Sequence, residues 1–300
     1  MKIIKADKLV GELSPPPSKS VLHRYIIASS LAKGVSKIEN ISFSEDIIAT
    51  IEAMKKLGAK IEQKENYLLI DGSDTFKNLN ENIEIDCNES GSTLRFLFPL
   101  SIVEENKVLF KGRGKLFKRP MTPYFQNFEK FKIKHSYIDE NAILLEGQLK
   151  AGIYEIDGNI SSQFITGLLY ALPLLDGDSK LTINKNLESK GYIDLTLEIL
   201  ELAGIEIKNN DYKSFEIKGN QSYKPFDYTV EGDYSQVAFW IVAGIISANR
   251  DNEVKCLHVN KNSLQGDREI IEIVTRMGAN LEIFDDYVIV KPSKTKGTVI

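Results

Sequence analysis

Residues 15–24 read PPPSKSVLHR, and their order poses a chemical puzzle. Lys19 and Arg24 stand at the mouth of an apolar run, VLHRYIIASSLA. A helix already carries partial positive charge at that end, so cations belong at the other one. A helix start loaded this way suits an anion. Ser18 or Ser20 can cap, the first backbone N–H groups point outward, and Lys19 and Arg24 neutralise. Arg24 lies four positions beyond Ser20, so the two share one helix face. NESGSTLRF repeats the arrangement, with Ser90, Gly91 and Ser92 at the start and Arg95 one turn on. Gly91 lets a ligand come close to the backbone. SSQF is a third case: Ser161, Ser162 and Gln163 offer hydroxyl and amide partners to a phosphate or a polyol.

Two further stretches need weighing. VEGDYSQ places Glu231 and Asp233 at a helix start, where acids satisfy the dipole themselves, so that start is not expected to hold phosphate. Residues 111–123, KGRGKLFKRPMTP, pack five cations into nine residues. Alone they read as a solvated basic loop. They match neither a phosphate-cradling GxxxxGK[ST] nor a GxGxxG fingerprint, so nucleotide binding has no support.

The elements that position these groups come from a repeat. Four segments share one order of parts: a Ser/Gly helix start, an apolar helix, a strand, an amphipathic helix and a β-hairpin. The helix starts at Lys19, Gly91, Ser162 and Ser235 are 72, 71 and 73 residues apart. The ends of the second helices, at Gly58, Lys132, Gly204 and Gly278, are 74, 72 and 74 apart. Glycine suits a left-handed cap at three of these ends, and Lys132 predicts a different or strained one. The first helices, typified by FITGLLYALPLL, are apolar nearly all round and predict burial. In the second helices Ile47, Ile48, Ile51, Met54 and Leu57 fall on one face. With parallel strands between them, the class is α/β or α+β.

Bulk properties bound the function. Three hundred residues with 42% hydrophobic content make one or two cores. No 18-residue apolar window and no signal-peptide pattern occur, which gives the cytoplasm as the expected compartment and no membrane partner. Cys87 and Cys256 fit no metal or redox spacing, and His23, His135 and His258 are scattered, so no metal is expected. A net charge of −4 argues against nucleic acid. Only 7 of the 38 basic residues are arginine, and four of those (Arg24, Arg95, Arg113 and Arg119) sit in or beside the Gly/Ser-rich stretches. A planar guanidinium fork serves oxyanions best, which marks these stretches again.

Taken together, PPSKSVLHR, ESGSTLRFL, GRGKLFKRPM, SSQFITGLL, ESKGYIDLTL, VEGDYSQVAFW and NSLQGDREI resemble the successive motifs of the 5-enolpyruvylshikimate-3-phosphate (EPSP) synthase family, in order and over the whole chain. The resemblance implies an enolpyruvyl transferase-like two-domain fold of repeated βαβαββ units, an inside-out α/β barrel with four of six units present. It implies residues 1–14 as the N-terminal strand of the second, incomplete domain, 15–225 as a complete three-unit domain, and 226–300 as the first unit of the incomplete one. The implied reaction moves the carboxyvinyl group of phosphoenolpyruvate to the 5-hydroxyl of shikimate 3-phosphate and releases phosphate, without a cofactor. Lys19, Ser20, Arg24, Ser161, Ser162, Gln163, Ser189 and Tyr192 are similar to the family's shikimate 3-phosphate ligands. Lys19, Gly91, Arg119 and Gln163 resemble its phosphoenolpyruvate contacts, and Lys19 resembles its catalytic residue. The family is the target of glyphosate, and Glu89 stands where many members have asparagine.

Four units imply that the family's acid and base residues lie beyond residue 300 and that this chain alone is inactive. The full-length form is expected to be a monomer acting on small molecules. An incomplete second domain also predicts apolar exposure at Phe239, Trp240, Val242 and Ile246, with self-association. Two alternatives stand beside this reading. One is a non-catalytic phosphate-binding fragment. The other is the related transferase acting on UDP-N-acetylglucosamine, which the cysteine-free GRGKLFKRP loop disfavours.

Overall fold

The computed structural model describes residues 8–79, 82–247, 249 and 251–299. Its elements follow the expected repeat. After β1 (Val10–Leu13) come α1 (Lys19–Leu31), β2 (Val35–Glu39), α2 (Glu45–Lys56), β3 (Lys60–Gln63) and β4 (Tyr67–Asp71). The second unit holds β5 (Ile83–Asp86), α3 (Gly91–Leu100), β6 (Asn106–Lys111), α4 (Thr122–Lys130), β7 (Lys134–Asp139) and β8 (Ala142–Gly147). The third holds β9 (Ile153–Asp157), α5 (Ser162–Ala171), β10 (Ser179–Asn184), α6 (Lys190–Leu202), β11 (Ile207–Asn210) and β12 (Ser214–Ile217). After β13 (Tyr228–Thr229) the fourth holds α7 (Tyr234–Ile246), β14 (Glu253–Leu257), α8 (Glu269–Arg276), β15 (Asn280–Ile283) and β16 (Tyr287–Lys291). The fourth first-helix thus begins one residue before Ser235, capped by Asp233.

Each unit builds one four-stranded sheet, and the sheets are mixed rather than parallel. In the order β5-β6-β8-β7, β5 and β6 run parallel and the other two pairs antiparallel. The reason is the connection. A crossover helix permits a parallel neighbour, whereas the short link between the last two strands permits only a hairpin.

The chain forms two compact units, one spanning Ser20–Thr229 and the other joining the chain before Ser20 to the chain after Thr229. Strand β1 pairs in parallel with β14, Val10 opposite Glu253, and so completes the fourth sheet. The first sheet, β13-β2-β4-β3, then takes its leading strand from after the third unit, with Tyr228 opposite Ile38. Residues 226–229, expected in the second domain, therefore belong with the first. Phe226 N donates to Ser36 Oγ at 3.1 Å, and the Tyr228 ring stacks on Tyr25 with centroids 3.9 Å apart. Residues 15–19 depart the other way: Ser18 N donates to Glu231 O at 2.8 Å, and Asp233 N donates to Pro16 O at 2.9 Å.

Inside Ser20–Thr229 the first helices form the core. Eleven of the 13 residues of α1 are buried, and nine of ten in each of α3 and α5. Helices α3 and α5 cross closely at Gly167, where a Cβ would lie 2.5 Å from Arg95 O. At about 25 cal/mol per Å2, apolar helices buried all round supply most of the driving force for this unit. The second helices end as their sequence requires. Gly58, Gly204 and Gly278 take positive φ, and Lys132 takes φ +58 without the freedom of glycine.

Helix α7 is buried on one face only, and the four residues expected to be exposed are so. Its inward face packs with Cys256, Val274, Val288 and Val290 in a core of its own. Its other face is open, with Phe239 74% and Ile246 72% exposed and Trp240 and Val242 partly so.

Candidate functional site

Four helix starts of the Ser20–Thr229 unit surround a cavity of about 340 Å3, a size typical of small-molecule sites. Ser20 and Arg24 reach it from α1, Ser92 and Phe96 from α3, Ile160 to Gln163 from the start of α5, and Glu188, Ser189 and Tyr192 from the start of α6. Its lining is rich in hydroxyl and amide groups and includes a buried cation.

That cation is Arg24, 2% exposed. Three of its five N–H groups meet neutral oxygens: Nη1 donates to Ser20 O at 2.7 Å, Nε to Thr196 Oγ1 at 3.0 Å and Nη2 to Tyr192 O at 3.2 Å. Aromatic faces cover it on two sides, with Phe96 at 5.0 Å and Tyr192 at 5.6 Å from the guanidinium carbon. Among the described residues, no ion pair joins it to a carboxylate. Burial lowers its pKa, with Tyr170 and Tyr192 acting in the opposite sense. An arginine nevertheless stays charged, and an uncompensated buried charge is costly. An anion entering the cavity would supply the missing counter-charge.

The serines divide by their duties. Ser90 Oγ accepts from Thr93 N at 3.1 Å and Ser161 Oγ from Gln163 N at 3.3 Å, so each caps its helix. Ser189 also precedes a helix, yet its backbone is left-handed, φ +59, and its side chain makes no capping bond. Its hydroxyl is therefore not spent on the helix. A non-glycine residue in that region costs of order 1–3 kcal/mol, and such residues cluster at functional sites.

Beside the cavity, Gln163 Oε1 accepts from Arg95 Nη1 at 2.8 Å and Gln163 Nε2 donates to Ser92 Oγ at 3.0 Å. Arg95 also lies over the Phe164 ring, 4.7 Å from its centroid. Burial lowers its pKa, and the nearby charge of Arg119 lowers it further. Gly91 needs no glycine-only dihedral. Its requirement is space, because a Cβ there would lie 2.9 Å from Arg119 Nη1 and 3.7 Å from Gln163 Oε1.

Of the residues singled out by sequence, the structure brings Ser20, Arg24, Ser161, Ser162, Gln163, Ser189 and Tyr192 together in one lining. Gly91 adjoins both Arg119 and Gln163. Lys19 is exposed, opens α1 and is not in the lining; its N–H donates to Asp233 Oδ2 at 3.4 Å. Sequence reasoning placed Ser92 at a candidate helix start without giving it a ligand, and missed Phe96, Ile160, Glu188 and Thr196. Ser92 and Phe96 sit in a motif already marked, and Thr196 follows Tyr192 by one helical turn, so spacing was the available signal. Both cysteines are buried, and burial pushes Cys87 up and Cys256 up to about 11, which keeps them as thiols. No group of described residues has metal-ligand geometry, and no described helix is long and apolar enough to cross a membrane.

Comparison with known proteins identifies the family. The family model for EPSP synthase (3-phosphoshikimate 1-carboxyvinyltransferase) matches residues 3–299. The chain belongs to the EPSP synthase family. A 3-phosphoshikimate 1-carboxyvinyltransferase of Clostridium perfringens (strain SM101 / Type A) is 56% identical, the match covering 93% of this chain and 65% of that protein. The enzyme of the same name from Clostridium novyi (strain NT) is 51% identical over 100% of this chain and 70% of its own. The chain thus spans about two thirds of the length of such relatives. In fold it is similar to an EPSP synthase from Acinetobacter baumannii, with TM-score 0.80, 23% identity and coverage of 98% and 68%. It is also similar to the enolpyruvyl transferase NikO from Streptomyces tendae, with TM-score 0.74, 16% identity and coverage of 96% and 66%.

Proposed function

We propose that the cavity binds shikimate 3-phosphate and that the chain serves the transfer of the carboxyvinyl group from phosphoenolpyruvate to its 5-hydroxyl. Arg24 carries this reading, as a buried cation whose hydrogen-bond partners among the described residues are two backbone carbonyls and one hydroxyl. Both substrates are anions, and a desolvated pocket at helix N-termini favours anions by dipole and by fixed donors together. Ser161, Ser162, Gln163 and Ser189 would take phosphate and ring oxygens, with Ser20 beside Arg24 and the Tyr192 ring flanking the carbocycle. Gly91, Arg119 and Gln163 would receive phosphoenolpyruvate, and Lys19 would serve both substrates and the chemistry.

In the transfer, the 5-hydroxyl gives up its proton as its oxygen bonds to C2 of phosphoenolpyruvate, and the C2–C3 double bond opens with C3 taking a proton. The tetrahedral adduct then loses phosphate from C2 and a proton from C3, which restores the vinyl group. Preorganised donors lower the barrier by stabilising charge that moves between the oxygens.

Thermal unfolding of the chain with shikimate 3-phosphate and with shikimate tests the reading. The phosphorylated ligand should raise the midpoint and shikimate should not, because ligand binding to the folded state alone stabilises it. Equal response to both, or none to either, contradicts the assignment. Phosphate release on adding phosphoenolpyruvate separates a transferase from a binding module.

A further inference from the structure

Gln163 is held at both ends, and the direction of its hold has a chemical consequence. Arg95 can only donate hydrogen bonds. It therefore fixes the amide oxygen of Gln163 toward itself, at 2.8 Å, and turns the amide nitrogen toward Ser92, at 3.0 Å. Ser92 Oγ must then accept, and its own proton is left for another partner. Ser92, half-buried, lines the cavity beside Gln163 and Arg24. The second N–H of Gln163 is likewise not taken by Ser92. This wall presents donors and suits a group that only accepts, such as an ionised phosphate or carboxylate.

We propose that Ser92 is a ligand-binding residue whose hydroxyl donates to an anionic oxygen of the bound substrate, and that Arg95, acting through Gln163, is the positioning residue that sets this polarity. Arg95 need not touch the ligand. The inference rests on the shikimate 3-phosphate reading and extends it to a residue which that reading does not use.

Calorimetric titration of shikimate 3-phosphate into the 300-residue chain is the test. Ser92→Ala should weaken binding tenfold or more, the usual loss for a hydrogen bond to a charged group. Gln163→Glu should weaken it further, because a carboxylate beside Ser92 accepts the proton meant for the ligand. Arg95→Met frees the amide to turn, so Ser92→Ala should cost less in that background than in the unaltered chain. A structural role alone would make the two losses add. Arg95→Lys, which keeps a donor to Oε1, should recover part of the Met variant's loss, and thermal midpoints of all variants check folding. If the unaltered chain binds and Ser92→Ala binds equally well, or if the two losses add, the inference is wrong while the site assignment stands. If the unaltered chain does not bind, the site assignment itself falls, and this inference with it.

Discussion

Helices α5 and α7 hold the same place in their repeats and carry similar sequences, SSQFITGLLYA and DYSQVAFWIVAGII. One is buried along nine of its ten residues, the other at five of 13. Their starts differ as well. At α5 the cap is a serine hydroxyl, and Ser161 to Gln163 face the cavity. At α7 the Asp233 carboxylate itself accepts from Ser235 N and Ser235 Oγ. The protein's own acid occupies the place that an anion could take. One repeat therefore yields a helix start open to a cavity or a self-satisfied helix end according to a single residue type, and a core helix or an open face according to what packs on it.

Stability should divide the two helices most sharply. Phe164→Ala in α5 should cost about 3–5 kcal/mol, the loss typical of a fully buried aromatic. Phe239→Ala in α7 should stay within about 0.5 kcal/mol in the same denaturant titration. Equal losses would mean that the outer face of α7 is covered in solution. That face should also make the chain self-associate, and sedimentation should show less association after Ile246→Ser; a monodisperse monomer before substitution would contradict this.

Arg24 sharpens the contrast between binding and folding. Arg24→Met should weaken shikimate 3-phosphate binding about 100-fold or more, the scale of losing a buried charged partner. It should leave stability within about 1 kcal/mol, because replacing an uncompensated buried charge by an apolar group removes a desolvation cost. A large loss of stability with binding retained would make Arg24 a structural residue. At α7, Asp233→Ala should lower stability by about 1 kcal/mol as a lost cap. The smallest effect belongs to Lys132, where Lys132→Gly should add about 0.5 kcal/mol by relieving its left-handed backbone. Thermal unfolding would read both.

Much of this was legible in the sequence. The helix starts at Lys19, Gly91 and Ser162 fall where the repeat puts them, and the strain at Lys132 follows from a glycine position filled by lysine. Strand β13 was not legible: two residues in KPFDYTVEG carry no alternation, and their role is set by β2, some 190 residues earlier. The hold of Arg95 on Gln163 crosses 68 residues and depends on how closely α3 meets α5. The left-handed turn at Ser189 escaped for a different reason, since serine has no preference for that region and the surrounding loop imposes it. Local chemistry shows in sequence order, whereas the angle between two helices does not.

The account stands or falls on whether the cavity at Arg24 is an anion site. Calorimetric titration of shikimate 3-phosphate into the purified chain, beside Arg24→Met, measures this directly. Saturable heat that the substitution abolishes, with the fold intact by thermal unfolding, is the predicted result. Absence of heat from the unaltered chain, or heat that survives the substitution, would contradict it.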